Sequence, residues 1–322
     1  MKRLSMLITG GLTLGGAALV AAQAATVATG LPGYQRVSGI AGALSSVGSD
    51  TLNNLMTFWT EGFAKHYPSV KIQIEGKGSG TAPPALIAGT AQLGPMSRPM
   101  KSTEIDAFEK KYGYKPTPIA VALDGLAVYV NKDNPIQNLS LEQVDAIFSA
   151  TRSCGGKASI TNWAQLGLTG EWDHPISLYG RNSASGTYGF FKDNALCKGD
   201  YRASVKEQPG SATVVEGISN DRFAIGYSGM GYKTAGVRLV LLSGIGSTAV
   251  FEPIPENIYA GTYPLSRYLY VYINRKPGQP LDPLVKQFFL YVLSDEGQQV
   301  VVKDGFVPLL KEIVDVELKK LE

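Results

Sequence analysis

The sequence predicts an α/β chain folded as two lobes. Three observations carry this. Strand-like and helix-like periodicities alternate along the chain. Three loops rich in Ser, Thr and Gly each lead from a strand candidate into a helix candidate. And 322 residues that are 44% hydrophobic and 18% charged suffice for two separate cores. Alternation of this kind implies parallel sheets, whose loops and helix N-termini gather at the carboxyl ends of the strands.

The first two dozen residues stand apart. Lys2 and Arg3 precede an apolar run from Leu4 to Val20, and Ala22-Gln23-Ala24 supplies a small-x-small cleavage site. This is the pattern of a cleavable secretory signal peptide, residues 1 to 24, because the run is short, Gly-rich and ends in a cleavage motif. Residues 25 to 40 mix Ala, Thr, Gly and Pro without periodicity and read as a leader.

Ala43 to Val47 is the first strand candidate, and Gly48-Ser49-Asp50-Thr51 turns into a helix with Leu52, Leu55, Met56, Trp59 and Phe63 on one face. Val70 to Ile74 alternates as a strand, and Gly78-Ser79-Gly80-Thr81 then opens a helix carrying Leu86 and Ile87. Ala91 to Gly94 reads as a short strand before Ser97-Arg98-Pro99, and Ser102 to Phe108 as a helix. Ile119 to Asn131 is a long apolar strand with Asp124-Gly125 inside it, and a carboxylate there costs free energy unless it has a partner or a task. Ser140-Leu-Glu-Gln143 carries a capping box.

Ile176 to Gly180 is a strand candidate that feeds Arg181-Asn-Ser-Ala-Ser185-Gly186-Thr187, after which Tyr188 opens a helix. A helix candidate at Ala212 to Ile218, strand candidates at 224–228, 237–242 and 268–273, and two helices starting near Asp282 and Ser294 complete the chain. No internal repeat of 20 to 50 residues is present.

Charge and composition exclude several classes. Removing Lys2 and Arg3 takes the net charge from +3 to +1, which leaves no long-range field for nucleic acid or an anionic membrane. Beyond the first run, no stretch approaches the ~20 apolar residues of a membrane span, so the expected product is soluble outside the inner membrane. Two Cys and two His (His66, His174) lie far apart without ligand spacing, so no metal or other cofactor is expected. In an oxidising compartment Cys154 and Cys197 are candidates for one disulfide. Gly226-Tyr-Ser228-Gly-Met230 lacks the last Gly of a nucleophile elbow, and no P-loop or dinucleotide fingerprint occurs, so catalysis is not supported.

The three loops share one chemistry. A strand feeding a helix through Ser, Gly and Thr aims unpaired backbone N–H groups, hydroxyls and the positive helix end at one place, which favours an anion. Arg181 adds a planar fork suited to phosphate or carboxylate oxygens. Each loop alone is equally well an ordinary helix cap; three in one chain shift the balance towards a buried oxyanion site.

The segments Gly48 to Leu52, Gly78 to Thr81, Ser97 to Pro99, Val121 to Gly125, Arg181 to Thr187 and Tyr263-Pro-Leu-Ser-Arg267 occur in an order that resembles the periplasmic phosphate-binding proteins of the PstS type. The resemblance covers essentially all of the chain beyond the leader, and Arg-x-x-x-Ser-Gly-Thr is its most specific part. It implies a two-lobed periplasmic binding protein fold of type II, each lobe a mixed, mostly parallel sheet flanked by helices. Inorganic phosphate would lie in the interlobe cleft and be delivered to the membrane permease of an ATP-driven importer by a monomer. Carried over by position, the ligands would be Ser49, Thr51, Ser79, Arg181, Ser185, Gly186 and Thr187; Asp124 joins them as a substitute acceptor, and Asp50, Gly80, Thr81, Ser97 and Arg98 are further candidates.

Two departures bear on selectivity. Many members carry Asp at the position of Arg98, where it accepts the proton of partly protonated phosphate; others have Asp where Ser183 stands here. Asp124 is the expected substitute and Asp50 the second choice. Phosphate keeps a P–OH near neutral pH and sulfate does not, so a buried acceptor penalises sulfate by about 1–3 kcal/mol. A receptor for another tetrahedral oxyanion, an extracellular phosphatase and a surface adhesion protein stand as alternatives. The expected lobes are 41–125 plus 262–322, and 126–261.

Overall fold

In this computed structural model, which describes residues 25–322, strand-loop-helix units follow one another from Ala43 onward. The expected signal peptide lies outside the described residues. In chain order come β1 (Ala43–Val47), α1 (Asn53–His66), β2 (Lys71–Glu75), α2 (Ala82–Ala88), β3 (Gly94–Met96), α3 (Ser102–Tyr112) and the long β4 (Thr117–Asn131). Then follow β5 (Asn138–Ser140), α4 (Leu141–Phe148), β6 (Ser177–Arg181), α5 (Gly186–Ala195), β7 (Lys206–Gln208), α6 (Ser211–Asn220) and β8 (Ala224–Gly229). The remainder is β9 (Val237–Leu239), β10 (Leu241–Ser243), β11 (Val250–Phe251), α7 (Pro255–Tyr259), β12 (Ser266–Ile273), α8 (Pro283–Val292), α9 (Asp295–Lys303) and α10 (Lys311–Lys319).

The four-residue spacing of α1 buries Leu55, Met56, Trp59 and Phe63 completely, each contributing about 1.5–3 kcal/mol of apolar burial. They join Leu44, Leu93, Val121, Leu269, Phe288 and their neighbours in the core of the first lobe. Tyr34, from the segment read as a leader, is buried there too and donates to Gln287 Oε1 at 2.9 Å. Leu126, Val128, Phe148, Trp163, Phe191 and Tyr227 belong to a second core. Two cores of this size define two lobes.

β4 joins them. Its residues 117–125 pair antiparallel with β12, and its residues 126–130 pair antiparallel with β8. The handover between the two partners falls at Gly125 and Leu126. There the buried Tyr263 hydroxyl donates to Leu126 O at 2.9 Å, and Leu126 N–H donates to Leu265 O. One seven-stranded sheet therefore runs β3-β12-β4-β8-β6-β7, with β9 also on β4.

Two expectations are corrected. The sheets are mixed without a parallel majority: β1 with β2 and β6 with β7 and β8 are parallel, but β12, β8 and β9 all run antiparallel to β4. A strand that threads both lobes is met by the returning chain, so its neighbours oppose it. Three helices rather than two close the chain; α10 escapes the sequence reading because its apolar face is short, with Val314 its one buried aliphatic residue. Cys154 and Cys197 are bonded, tying the segment after α4 to the end of α5.

Candidate functional site

β1, β2, β3 and β6 end beside one another, and their loops meet between the lobes. From the first lobe come Thr51 (1% exposed), Ser79 and Ser97, both fully buried; from the second come Arg181 (1%) and Thr187 (0%). Thr51 Oγ1 and Thr187 Oγ1 stand 2.9 Å apart across the cleft. Ser79 Oγ accepts the Ser97 N–H at 3.0 Å. Gly80 N–H donates to Ala184 O of the opposite lobe at 2.9 Å.

α5 starts at this place because Ser185 caps it: Ser185 Oγ accepts the N–H groups of Thr187 (3.1 Å) and Tyr188 (3.3 Å). The cap leaves the Gly186 N–H free of it, and Gly186 packs directly on Ser79 and Ser97. Ser49 is buried, with its N–H on Pro95 O. Thr81 turns inward to its own loop, donating to Gly78 O.

Each guanidinium in the cleft has a carboxylate. Arg181 Nη1 donates to Ser211 Oγ (2.6 Å) and lies 3.2 Å from Asp50 Oδ2, while Nη2 donates to Pro209 O. Burial lowers the pKa of Arg181 and Asp50 opposes that, so the group stays charged. Asp50 Oδ2 also accepts the Ser211 N–H at 2.7 Å; Oδ1 accepts no hydrogen bond from the described residues. Tyr232 OH, pushed up by burial and then by Asp50, remains a donor to the backbone oxygens of Asp50 and Thr51.

Asp124 is not the free acceptor the sequence suggests. It is fully buried, but Oδ2 takes Nε and Nη2 of Arg267 at 2.9 and 2.7 Å, and Oδ1 takes the Met230 N–H at 3.1 Å. Arg98 does not reach the cleft as a free cation either: Glu104 holds it in a bidentate pair at 2.8 and 2.7 Å. Arg267, Ser211 and Tyr232 are the site residues missed by the sequence reading. Arg267 had two available signals: it closes the Tyr263-Pro-Leu-Ser-Arg267 segment that carries the resemblance, and a buried strand carboxylate such as Asp124 needs a cation.

Two guanidiniums balanced by two carboxylates leave hydroxyls and N–H groups to decide what is held. A donor-rich, charge-balanced cleft takes a small oxyanion through hydrogen bonds. Among the described residues, no three His, Cys, Asp or Glu side chains are grouped to hold a metal, and no helix is long and apolar enough to cross a membrane.

Comparisons with known proteins agree with this architecture. A family model described as the PBP superfamily domain matches residues 20–296. The chain is 58% identical over 302 residues to the phosphate-binding protein PstS of Pseudomonas aeruginosa, covering 94% of each. It is 28% identical over 288 residues to the protein SphX of Synechococcus elongatus, covering 88% of this chain and 83% of that one. Among solved structures, a Clostridium perfringens protein with bound phosphate, provisionally named as a phosphate ABC transporter substrate-binding protein, superposes with TM-score 0.70 at 27% identity, over 83% of this chain and all of the other. An ABC-type phosphate transport receptor of Vibrio cholerae shares the fold at TM-score 0.63 and 22% identity, over 83% of this chain and 100% of that one.

Proposed function

The chain belongs to the PBP superfamily and, within it, to the PstS-type phosphate-binding proteins, and from that premise we propose that it captures inorganic phosphate between its lobes and delivers it to the membrane component of an ATP-driven importer. The observation that carries this reading is the meeting of Thr51, Ser79, Ser97, Arg181, Thr187 and the N-terminus of α5 at one buried place between the lobes. Hydroxyls and N–H groups donate to phosphate oxygens, and Arg181 supplies charge that burial strengthens. Asp50, with Oδ1 left over, accepts the P–OH that distinguishes phosphate from sulfate.

The protein works as a monomer in the periplasm, exported by residues 1 to 24, and binds its anion without turning it over. Its lobes comprise 41–125 plus 262–322, and 126–261, and hinge closure turns occupancy into a shape the importer reads; periplasmic binding proteins are the standard example of that motion.

Titration calorimetry of the purified protein with phosphate and with sulfate tests the reading. Phosphate should bind far more tightly than sulfate, and Arg181→Ala should abolish most of that affinity. Sulfate preferred over phosphate, or an Arg181→Ala variant that binds like the parent, would overturn it.

A further inference from the structure

Arg267 is the second residue of β12, and Asp124 is its register partner in β4, so the two side chains lie side by side across one ladder. Their side chains are 2% and 0% exposed. The ion pair uses Nε and Nη2 of Arg267 on one oxygen of Asp124. What remains of the fork reaches both lobes. Nη1 donates to Ser97 O at 2.9 Å in the first lobe, and Nη2 donates to Thr187 Oγ1 at 3.1 Å in the second. The guanidinium also faces the Phe190 ring on α5 at 5.3 Å, and Asp124 Oδ1 takes Met230 N–H from the far lobe.

Arginine has donors only. Thr187 Oγ1 must therefore turn a lone pair to Arg267, which keeps the hydroxyl proton for another acceptor. Thr51 Oγ1 stands 2.9 Å from the same oxygen. With Thr51 donating across that contact, both Thr187 lone pairs are used and its proton is left for an anion between the lobes, which meets Thr187 as an oriented donor.

We propose that Arg267 and Asp124 are a positioning pair: Asp124 fixes the fork, and Arg267 orients the Thr187 hydroxyl and holds it beside the Ser97 loop for phosphate. This rests on the phosphate reading. Neither residue touches the anion; both act through Thr187.

The test is a double-mutant cycle on phosphate affinity measured by calorimetry. Arg267→Lys keeps the charge but has one nitrogen, so it cannot hold the fork and both further contacts. It should weaken binding about tenfold, which is ~1.4 kcal/mol. Thr187→Val should weaken it at least as much, and the double variant should bind no more weakly than Thr187→Val alone. Thr187→Ser, which keeps the hydroxyl, should restore the dependence on Arg267. Asp124→Asn gives the same cycle through the other partner should Arg267→Lys not fold. Losses that multiply in the double variants, or an Arg267→Lys protein that binds like the parent, would overturn the proposal. A parent protein that binds no phosphate would instead overturn the reading beneath it and this role together.

Discussion

A Cβ placed on Gly186 would stand 2.2 Å from Ser79 Oγ and 2.7 Å from Ser97 Oγ, both of the opposite lobe. The lobes meet here only because residue 186 has no side chain.

Gly186→Ala therefore separates closure from folding. The residue begins α5 with no left-handed φ, so alanine brings no backbone strain of its own and meets only the opposite lobe. The variant should keep the parent's melting temperature and lose phosphate affinity by about tenfold or more, through a faster off-rate. Stopped-flow and calorimetry read both quantities; unchanged affinity would mean that the cleft closes without this contact.

The two carboxylates should separate in an anion competition assay. Asp50 has an oxygen to spare and Asp124 does not. Asp50→Asn should bring phosphate and sulfate affinities closer by about tenfold, in line with one half-buried acceptor. Asp124→Asn should weaken both anions alike, because it loosens Arg267 rather than removing an acceptor. A selective loss in Asp124→Asn alone would reverse the assignment.

Asp304 gives a stability signature. Burial pushes its carboxyl up to about 7, and its Oδ2 is buried without a partner. The folded state then binds more protons than the unfolded state between the ordinary carboxylate range and about pH 7, so this group's contribution to stability falls as pH rises through that window and levels off above it. Asp304→Asn should melt higher than the parent at pH 8, by about 1–2 kcal/mol after allowance for partial exposure, and show no advantage near pH 4. Calorimetric scans at the two pH values decide it; an advantage equal at both would mean that titration is not its source.

Local spacing made much of this molecule legible. The face of α1, the Ser185 cap on α5 and the loop chemistry at Thr51, Ser79 and Arg181 all lie within a few residues of their own signals. Partners brought from a distance were not legible. Asp124 stood out as a buried charge, but its cation sits 143 residues away and is chosen by the β4/β12 register. Arg98 was visible as a cation in a site loop, and only the nearby α3 carboxylate of Glu104 shows that its fork is engaged there.

By itself, then, the sequence determined which loops carry donors, because a hydroxyl or an N–H at a helix start is a local property of strand, turn and helix order. Only the tertiary structure decided which charges are free and which are paired, because a salt bridge depends on which strands lie together, and the threading of β4 through both lobes brought Arg267 to Asp124.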